Sequence, residues 1–154
     1  VRMLLQQRRH LGMMLPWPVQ QAMLAALTDD AHVDEQVERY RARRATLLPA
    51  LVAAGFEVDH SDAGLYLWVR AGAGLRERLE ERLEERGTRD VLYHGPGDPD
   101  EPGCWPLVRL LAEHGIVAGP GVFYGPAAAD HVRISLTASD ERIEAAAVRL
   151  SSWT

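Results

Sequence analysis

Lysine is absent from this sequence of 154 residues, and all 17 of its basic residues are arginines. The side-chain amine of lysine is the group that forms a Schiff base with a carbonyl compound. Covalent catalysis through a lysine is therefore excluded within this chain. We expect no catalytic residue of that kind among its side chains.

The sequence also has little cysteine and no long apolar run. Its one cysteine, Cys104, excludes an internal disulfide and is typical of a reducing compartment. No apolar stretch approaches the roughly 18 residues that a membrane-spanning helix needs. We therefore predict a cytoplasmic protein that does not enter a membrane.

Two further classes of function lack the residues that they need. A net charge of −5 argues against a general nucleic-acid binder, which usually presents a basic face. The histidines are scattered without the spacing of metal ligands, so we predict no metal site and interpret them as ordinary surface or capping residues. No histidine or asparagine near Cys104 in the sequence supports a nucleophile, and we interpret this residue as a small buried apolar side chain.

The first part of the chain has the apolar spacing of helices. We predict helices over residues 1–11 and 19–27, followed by a longer helix that Asp29 or Asp30 caps and Gly55 ends. Pro49 lies inside this longer pattern and removes one helical hydrogen bond. We therefore predict a kink or break near Leu48.

The second part alternates short strands with helices. The patterns predict strands over residues 56–58, 65–69, 116–118 and 131–136, a turn over residues 119–121, and helices over residues 75–86, 106–114 and 140–150. Residues 88–103 are rich in glycine, proline and aspartate, and we interpret them as a long loop. This order predicts an α+β fold, in which a short antiparallel or mixed sheet carries helices on one face.

One stretch suggests an anion site. In the strand over residues 131–136, Val132, Ile134 and Leu136 alternate with polar residues, so Arg133 points away from the core. A solvated surface arginine is the ordinary interpretation of that position. The preceding loop, residues 119–126, contains three glycines, two prolines and an adjacent Phe–Tyr pair, and such loops let backbone approach a ligand closely. An arginine beside it could hold a carboxylate through two hydrogen bonds.

These residues carry a family resemblance. The runs GIVAGPGVFYG at residues 115–125 and HVRISLT at residues 131–137 are similar to the C-terminal signature of class I/II aminotransferases of pyridoxal-phosphate (PLP) fold type I. Residues 10–23 resemble the segment after the cofactor lysine region of that family, and residues 30–44 resemble its interdomain helix. The run GLYLW at residues 64–68 resembles the first strand pair of its small domain. Succinyldiaminopimelate aminotransferases are the members most similar in pattern.

The resemblance implies roles for seven residues. Arg133 would bind the α-carboxylate of the substrate, and Gly119, Gly121, Phe123 and Tyr124 would form the loop beside it. Gly64 and Tyr66 would border the same cleft. The resemblance also implies a division into two domains: residues 1–29 would end the large PLP-binding domain, and residues 30–154 would form the small C-terminal domain, with an insertion at residues 71–103.

The same resemblance implies an activity for the complete enzyme. It would transfer an amino group between an amino acid, N-succinyl-LL-diaminopimelate in lysine biosynthesis, and a 2-oxo acid such as 2-oxoglutarate. It would act as a PLP-dependent homodimer. The cofactor lysine, the aspartate that pairs with the pyridine nitrogen and the phosphate-binding residues have no counterpart in this chain, so we expect the chain alone to be inactive. A non-catalytic remnant, or a module that binds a carboxylate or another protein, is the alternative.

Overall fold

Two units make up the chain, and a computed structural model describes residues 1–86 and 103–153 of them. The first unit is Val1–Glu38 and the second is Arg39–Thr154. In the described residues the chain forms six α-helices and four strands. The helices are α1 (Arg2–His10), α2 (Trp17–Leu27), α3 (Ala31–Ala53), α4 (Ala73–Arg86), α5 (Cys104–Glu113) and α6 (Asp140–Ser151). The strands are β1 (Phe56–Asp59), β2 (Tyr66–Ala71), β3 (Gly119–Pro120) and β4 (His131–Ser135).

The first unit is helical, as its apolar spacing predicts. It contains α1, α2 and the start of α3, where the Asp29 carboxylate accepts a hydrogen bond of 3.0 Å from the backbone N–H of Ala31. Neither α1 nor α2 buries a side chain, and large apolar residues such as Met3, Trp17 and Leu27 are exposed. The predicted boundary after residue 29, which would divide two domains of a larger enzyme, stays a prediction.

The second unit is built on an antiparallel sheet with the strand order β1-β2-β4-β3. Side chains of a strand alternate between its two faces. The face that carries Leu67, Val69, Val132 and Ile134 is buried. Helices α3, α4, α5 and α6 contribute their apolar residues to the same core. The prediction of an α+β fold with helices on one face of a short sheet is confirmed, and the sheet is antiparallel.

Two neighbouring arginines of α3 tie this helix to the rest of its unit. The Arg43 guanidinium pairs with the Asp140 carboxylate at 2.6 Å and donates to the Leu136 carbonyl at 3.0 Å. Arg44 donates to the Gly64 carbonyl at 2.7 Å, in the turn before β2. Hydrogen bonds from a charged group contribute about 1.5–3 kcal/mol each. These bonds fix α3 against the segment that precedes β2 and the segment that follows β4.

Two predicted features are wrong. The predicted break near Leu48 is wrong: helix α3 continues through Pro49 to Ala53, because Leu47 and Leu51 on either side of the proline are both buried in the core and offset the lost hydrogen bond. The alternative, a kink at this point, stays a prediction. Residues 116–118 form no strand, because the backbone N–H of Ile116 is bonded to the Leu111 carbonyl at the end of α5. The strand that pairs with β4 begins instead at Gly119, within the predicted turn.

The predicted insertion at residues 71–103 is described only in part. It contains the end of β2 and all of α4, whereas residues 87–102, which hold almost all of the predicted loop, lie outside the described residues. Among the helices that the structure describes, none is long and apolar enough to cross a bilayer.

Candidate carboxylate-binding site

The sheet face opposite the core carries the polar and aromatic residues. Pairing of β2 with β4 places Tyr66 opposite Ser135, Trp68 opposite Arg133 and Arg70 opposite His131. Short strand β3 pairs on the other side of β4, so that Gly119 lies opposite Arg133. Arg133 therefore lies between an aromatic residue on one strand and a glycine on the other. A Cβ atom at Gly119 would stand 3.6 Å from the Nε of Arg133, an ordinary van der Waals distance, so the backbone of Gly119 lies beside the guanidinium.

Two tyrosine rings flank the Arg133 guanidinium. Its Cζ atom lies 4.3 Å from the centroid of the Tyr66 ring and 5.4 Å from that of the Tyr124 ring. Both distances are within the range of cation–π attraction. The Arg133 Nε is buried, and no described residue accepts a hydrogen bond from the guanidinium or pairs with it as a carboxylate. Its charge is held by aromatic faces and has no protein anion beside it in the described residues.

Other arginines around the sheet are differently placed. Arg43 and Arg44 are bonded to Asp140 and Gly64, as described above. On the same polar face, Arg70 pairs with the Glu57 carboxylate at 2.9 Å and lies 3.4 Å from that of Asp59. Arg133 is thus the partly buried arginine of this face whose guanidinium has no hydrogen-bond acceptor among the described residues.

The loop beside Arg133 needs glycine at two positions. Residues Gly121–Tyr124 and Pro126–Ala128 form two short 3₁₀ turns, joined by Gly125 at φ 117° and ψ 167°. That conformation is open to glycine and strained for other residues. Gly121 is buried, and a Cβ atom there would collide with the backbone oxygens of Ala128 and His131. This tight folding aims the Tyr124 ring back at the sheet.

Of the seven predicted site residues, the structure brings some together and directs others elsewhere. Arg133, Tyr66, Tyr124 and Gly119 meet on the polar face, and Gly121 shapes the loop that carries Tyr124. Phe123 points away, with its ring 6.0 Å from that of Trp105 and 73% of its surface exposed. Gly64 lies in the turn before β2, where its carbonyl accepts the bond from Arg44.

Sequence reasoning missed the residues that surround this arginine. The Trp68 indole stacks on the His131 imidazole, with centroids 5.2 Å apart and planes 9° from parallel, and meets the Tyr124 ring edge-on at 5.6 Å. His131 Nε2 donates a hydrogen bond of 3.0 Å to the Asp59 carboxylate. An ordinary surface or capping histidine would be more exposed, whereas only 15% of the His131 side chain is accessible. Pairing the alternating residues of β2 with those of β4 would have found this cluster.

The charges of this cluster act on Asp59. The hydrogen bond from His131 lowers the pKa of the Asp59 carboxyl below its ordinary value of 3.8. Desolvation of the carboxyl raises this pKa by a smaller amount, and the charge of Arg70 lowers it further. Asp59 is therefore ionised at neutral pH. Its carboxylate fixes the His131 ring through the hydrogen bond from Nε2.

Other kinds of site find no support in the part of the chain that the structure describes. No group of three or more histidine, cysteine, aspartate or glutamate residues there could hold a metal ion. Cys104 is fully buried in the core, as its sequence context predicts. What the polar face offers is a guanidinium between two tyrosine rings with no protein anion beside it in the described residues, and such a group can bind a carboxylate.

A family model supplies the decisive comparison, since the model described as aminotransferase class I and II matches residues 2–150. The chain belongs to the class I and II aminotransferases. The match covers both units of this aminotransferase chain, including the segments that carry its resemblance to the family. Members of this family generally depend on PLP and use amino and oxo acids.

Individual relatives give the same family and several substrates. This aminotransferase chain is 49% identical over 148 residues to a probable aminotransferase of Mycobacterium tuberculosis, and 47% identical to a 4-dedimethylamino-4-oxo-anhydrotetracycline transaminase of Streptomyces rimosus. Both matches cover 96% of the chain but only 28% and 33% of the relatives. An LL-diaminopimelate aminotransferase of Oleidesulfovibrio alaskensis is 33% identical, over 87% of the chain and 28% of that relative. The chain thus spans about a third or less of the curated relatives that it matches.

A solved structure also matches. It is a probable N-succinyldiaminopimelate aminotransferase of Thermus thermophilus, with a TM-score of 0.49 and 23% identity, covering 82% of this chain and 27% of that one.

Gly121 provides a test of the loop geometry. We expect Gly121→Ala to lower the free energy of unfolding by about 1–3 kcal/mol or more, because the new methyl group must push apart two backbone oxygens. Urea denaturation of the whole chain measures the change. Gly74→Ala is the matched control: a Cβ there meets nothing within 4 Å, and we expect it to be neutral or slightly stabilising. Equal effects of the two substitutions would contradict the described loop.

Asp59 provides a test of the charge cluster. We expect His131→Leu to raise the pKa of the Asp59 carboxyl towards its ordinary value, and Arg70→Met to raise it less, because the hydrogen bond is the larger effect. A carboxyl whose pKa is lowered by folding stabilises the fold above its unfolded pKa of about 3.9, and this contribution disappears as the pH falls through the folded pKa. Carbon-13 NMR of the side-chain carboxyl against pH measures both shifts. A larger rise in Arg70→Met would mean that the charge of Arg70 outweighs the hydrogen bond from His131.

Proposed function

We propose that this chain supplies the part of an aminotransferase site that binds the substrate α-carboxylate, with Arg133 as the binding residue. The observation that carries the proposal is the Arg133 guanidinium itself, which lies partly buried between Tyr66 and Tyr124 without a carboxylate among the described residues. A planar guanidinium in this state can form two parallel charge-assisted hydrogen bonds to a carboxylate.

The other predicted site residues contribute to the same site in different ways. Gly119 lies beside the guanidinium, and Gly121 permits the turn that brings Tyr124 to the sheet. Tyr66 and Tyr124 flank the charged group. Phe123 and Gly64 border the cleft in this proposal, although their described contacts are to Trp105 and Arg44.

The PLP cofactor is not attached by this chain. A lysine is needed to hold PLP as an imine, and the sequence contains none. The residues present therefore do not fit covalent attachment, and we assign to this chain no step of the reaction that passes through the cofactor. Its contribution is to bind and orient the carboxylate of a substrate whose chemistry takes place on groups outside this sequence.

For the complete enzyme we propose a cytoplasmic homodimer that uses N-succinyl-LL-diaminopimelate as amino donor and 2-oxoglutarate as acceptor, in lysine biosynthesis. The relative from Oleidesulfovibrio alaskensis is named for LL-diaminopimelate, which is in line with a donor of the diaminopimelate class. The more similar relative from Streptomyces rimosus is named for a tetracycline ketone. That ketone is therefore the second substrate to assay.

Arg133 is the residue that tests the binding role. We expect the whole chain to bind 2-oxoglutarate, and Arg133→Lys to weaken this binding about tenfold or more, because lysine keeps the charge and loses one of the two hydrogen bonds. Isothermal titration calorimetry measures the affinity of each protein, including the variant that lacks Arg133. Arg142→Lys, an exposed arginine of α6, is the matched control and should leave the affinity unchanged. Equal affinity in wild type and Arg133→Lys would refute the assigned role.

The missing lysine leads to a second prediction, with two arms. With the amine of Val1 blocked, we expect the chain incubated with PLP and borohydride to gain no stoichiometric label and to show no amino transfer.

We expect activity when this chain replaces the matching 148 residues of the Mycobacterium tuberculosis relative, because the rest of that protein then accompanies it. Arg133→Lys should lower kcat/KM of the hybrid about 100-fold.

The hybrid protein also discriminates between the two interpretations of this chain. Its cofactor absorbance shows whether it has folded and loaded PLP before any assay is read. A loaded hybrid that binds neither the diaminopimelate donor, 2-oxoglutarate nor the tetracycline ketone would favour the alternative, a non-catalytic remnant or a module for another carboxylate or protein. Stoichiometric borohydride labelling of the blocked chain would contradict the prediction that it is inactive alone.

A further inference from the structure

We infer that Trp68 is a positioning residue for Arg133, and that it acts by fixing the Tyr124 ring from behind. This inference rests on the proposed function of Arg133. The relevant contacts run in one direction across the polar face: Asp59 bonds to His131, His131 stacks on Trp68, Trp68 meets Tyr124, and Tyr124 flanks Arg133.

The need for such a support follows from where Tyr124 lies. It ends a 3₁₀ turn next to Gly125, and 54% of its surface is exposed. Its ring has two described contacts, the edge-on contact with Trp68 and the cation–π contact with Arg133. The cation–π contact with Tyr124 can hold Arg133 in place only if the contact with Trp68 holds the Tyr124 ring. Without Trp68, both side chains would gain rotameric freedom.

Trp68 itself is fixed from three sides. Its backbone N–H donates to the Ser61 hydroxyl at 3.1 Å, and Ser61 is buried with its own hydroxyl donating to the Asp59 carbonyl at 2.9 Å. Its Cα is paired with that of Arg133 across the sheet and with that of Asp59 on β1. Its indole lies flat on the His131 ring, whose far edge is bonded to the ionised Asp59. An indole held by the centre of the sheet thus supports a ring that the loop carries.

An ordered arginine binds a carboxylate more tightly, because less conformational freedom is lost on binding. Tyr66 restrains one face of the guanidinium directly from β2. Tyr124 restrains it from the loop and depends on Trp68. Trp68 therefore affects carboxylate affinity without contacting the carboxylate.

Two substitutions of Trp68 in the whole chain test this role. We expect Trp68→Leu to weaken 2-oxoglutarate binding about fivefold, since it removes the edge-on aromatic contact, and Trp68→Phe to restore most of the affinity because phenylalanine can keep it. Nitrogen-15 NMR at the Arg133 Nε follows both titrations. Equal affinity in wild type and Trp68→Leu would overturn the inference.

A double-mutant cycle tests the path through Tyr124. Tyr124→Leu alone should weaken binding, and adding Trp68→Leu to it should weaken binding by less than about a further twofold, because the tyrosine through which Trp68 acts is already gone. A further loss of about fivefold in the double variant would show that Trp68 acts by another route and would overturn the proposal.

A third readout needs no ligand and separates this inference from the proposed function. The Arg133 Nε of the free chain should show a high heteronuclear NOE in wild type and Trp68→Phe, and a lower one in Trp68→Leu. Trp153→Leu is the matched control: it removes a tryptophan that contacts Phe56 and His114, so it should change stability without changing the Arg133 signal. If wild type fails to bind 2-oxoglutarate while the NOE behaves as expected, the proposed function fails and the positioning stands. An unchanged NOE in Trp68→Leu overturns the positioning.

Discussion

The antiparallel pairing of β2 with β4 is the constraint on which the rest of the site depends. It places Trp68 opposite Arg133 and Arg70 opposite His131, all on the face that the helices leave free. A shift of one residue in this register would turn Val132 and Ile134 out of the core and turn Arg133 into it. The buried face therefore fixes the position of the arginine: the free energy that packs Val69 and Val132 together is also what holds the candidate site in register.

Electrostatics divides the arginines around this sheet into two groups. Arg43, Arg44 and Arg70 have protein acceptors and stabilise the fold, whereas Arg133 has two aromatic faces and no described carboxylate. A tyrosine face stabilises a cation without neutralising it or occupying its hydrogen-bond donors. The combination holds Arg133 in place and leaves its hydrogen-bond donors without a described acceptor. It is the absence of a carboxylate among the described residues, more than the presence of an arginine, that distinguishes this position from Arg70 on the neighbouring strand.

Sequence reasoning predicted those features that depend on local periodicity. The alternation along β4 placed Val132 and Ile134 in the core and Arg133 outside it, and apolar spacing located the helices to within a few residues. It failed where tertiary contacts decide: Pro49 stays helical because its neighbours are buried, and Ile116 follows the end of α5 rather than pairing as a strand. The support behind Arg133 was missed for the same reason, since Trp68, His131 and Asp59 come from three strands and meet only once the sheet has formed.

The described supports of Arg133 all come from the unit that contains it. Every contact that orients Arg133 in the described residues, from Tyr66 and Tyr124 back to Trp68, His131 and Asp59, is made within the unit Arg39–Thr154. We therefore expect the geometry of the carboxylate site to persist whether or not a lysine-bearing partner segment is present. The described supports of Arg133 are thus a property of the fold of this unit alone, and none of them depends on the lysine that the sequence lacks.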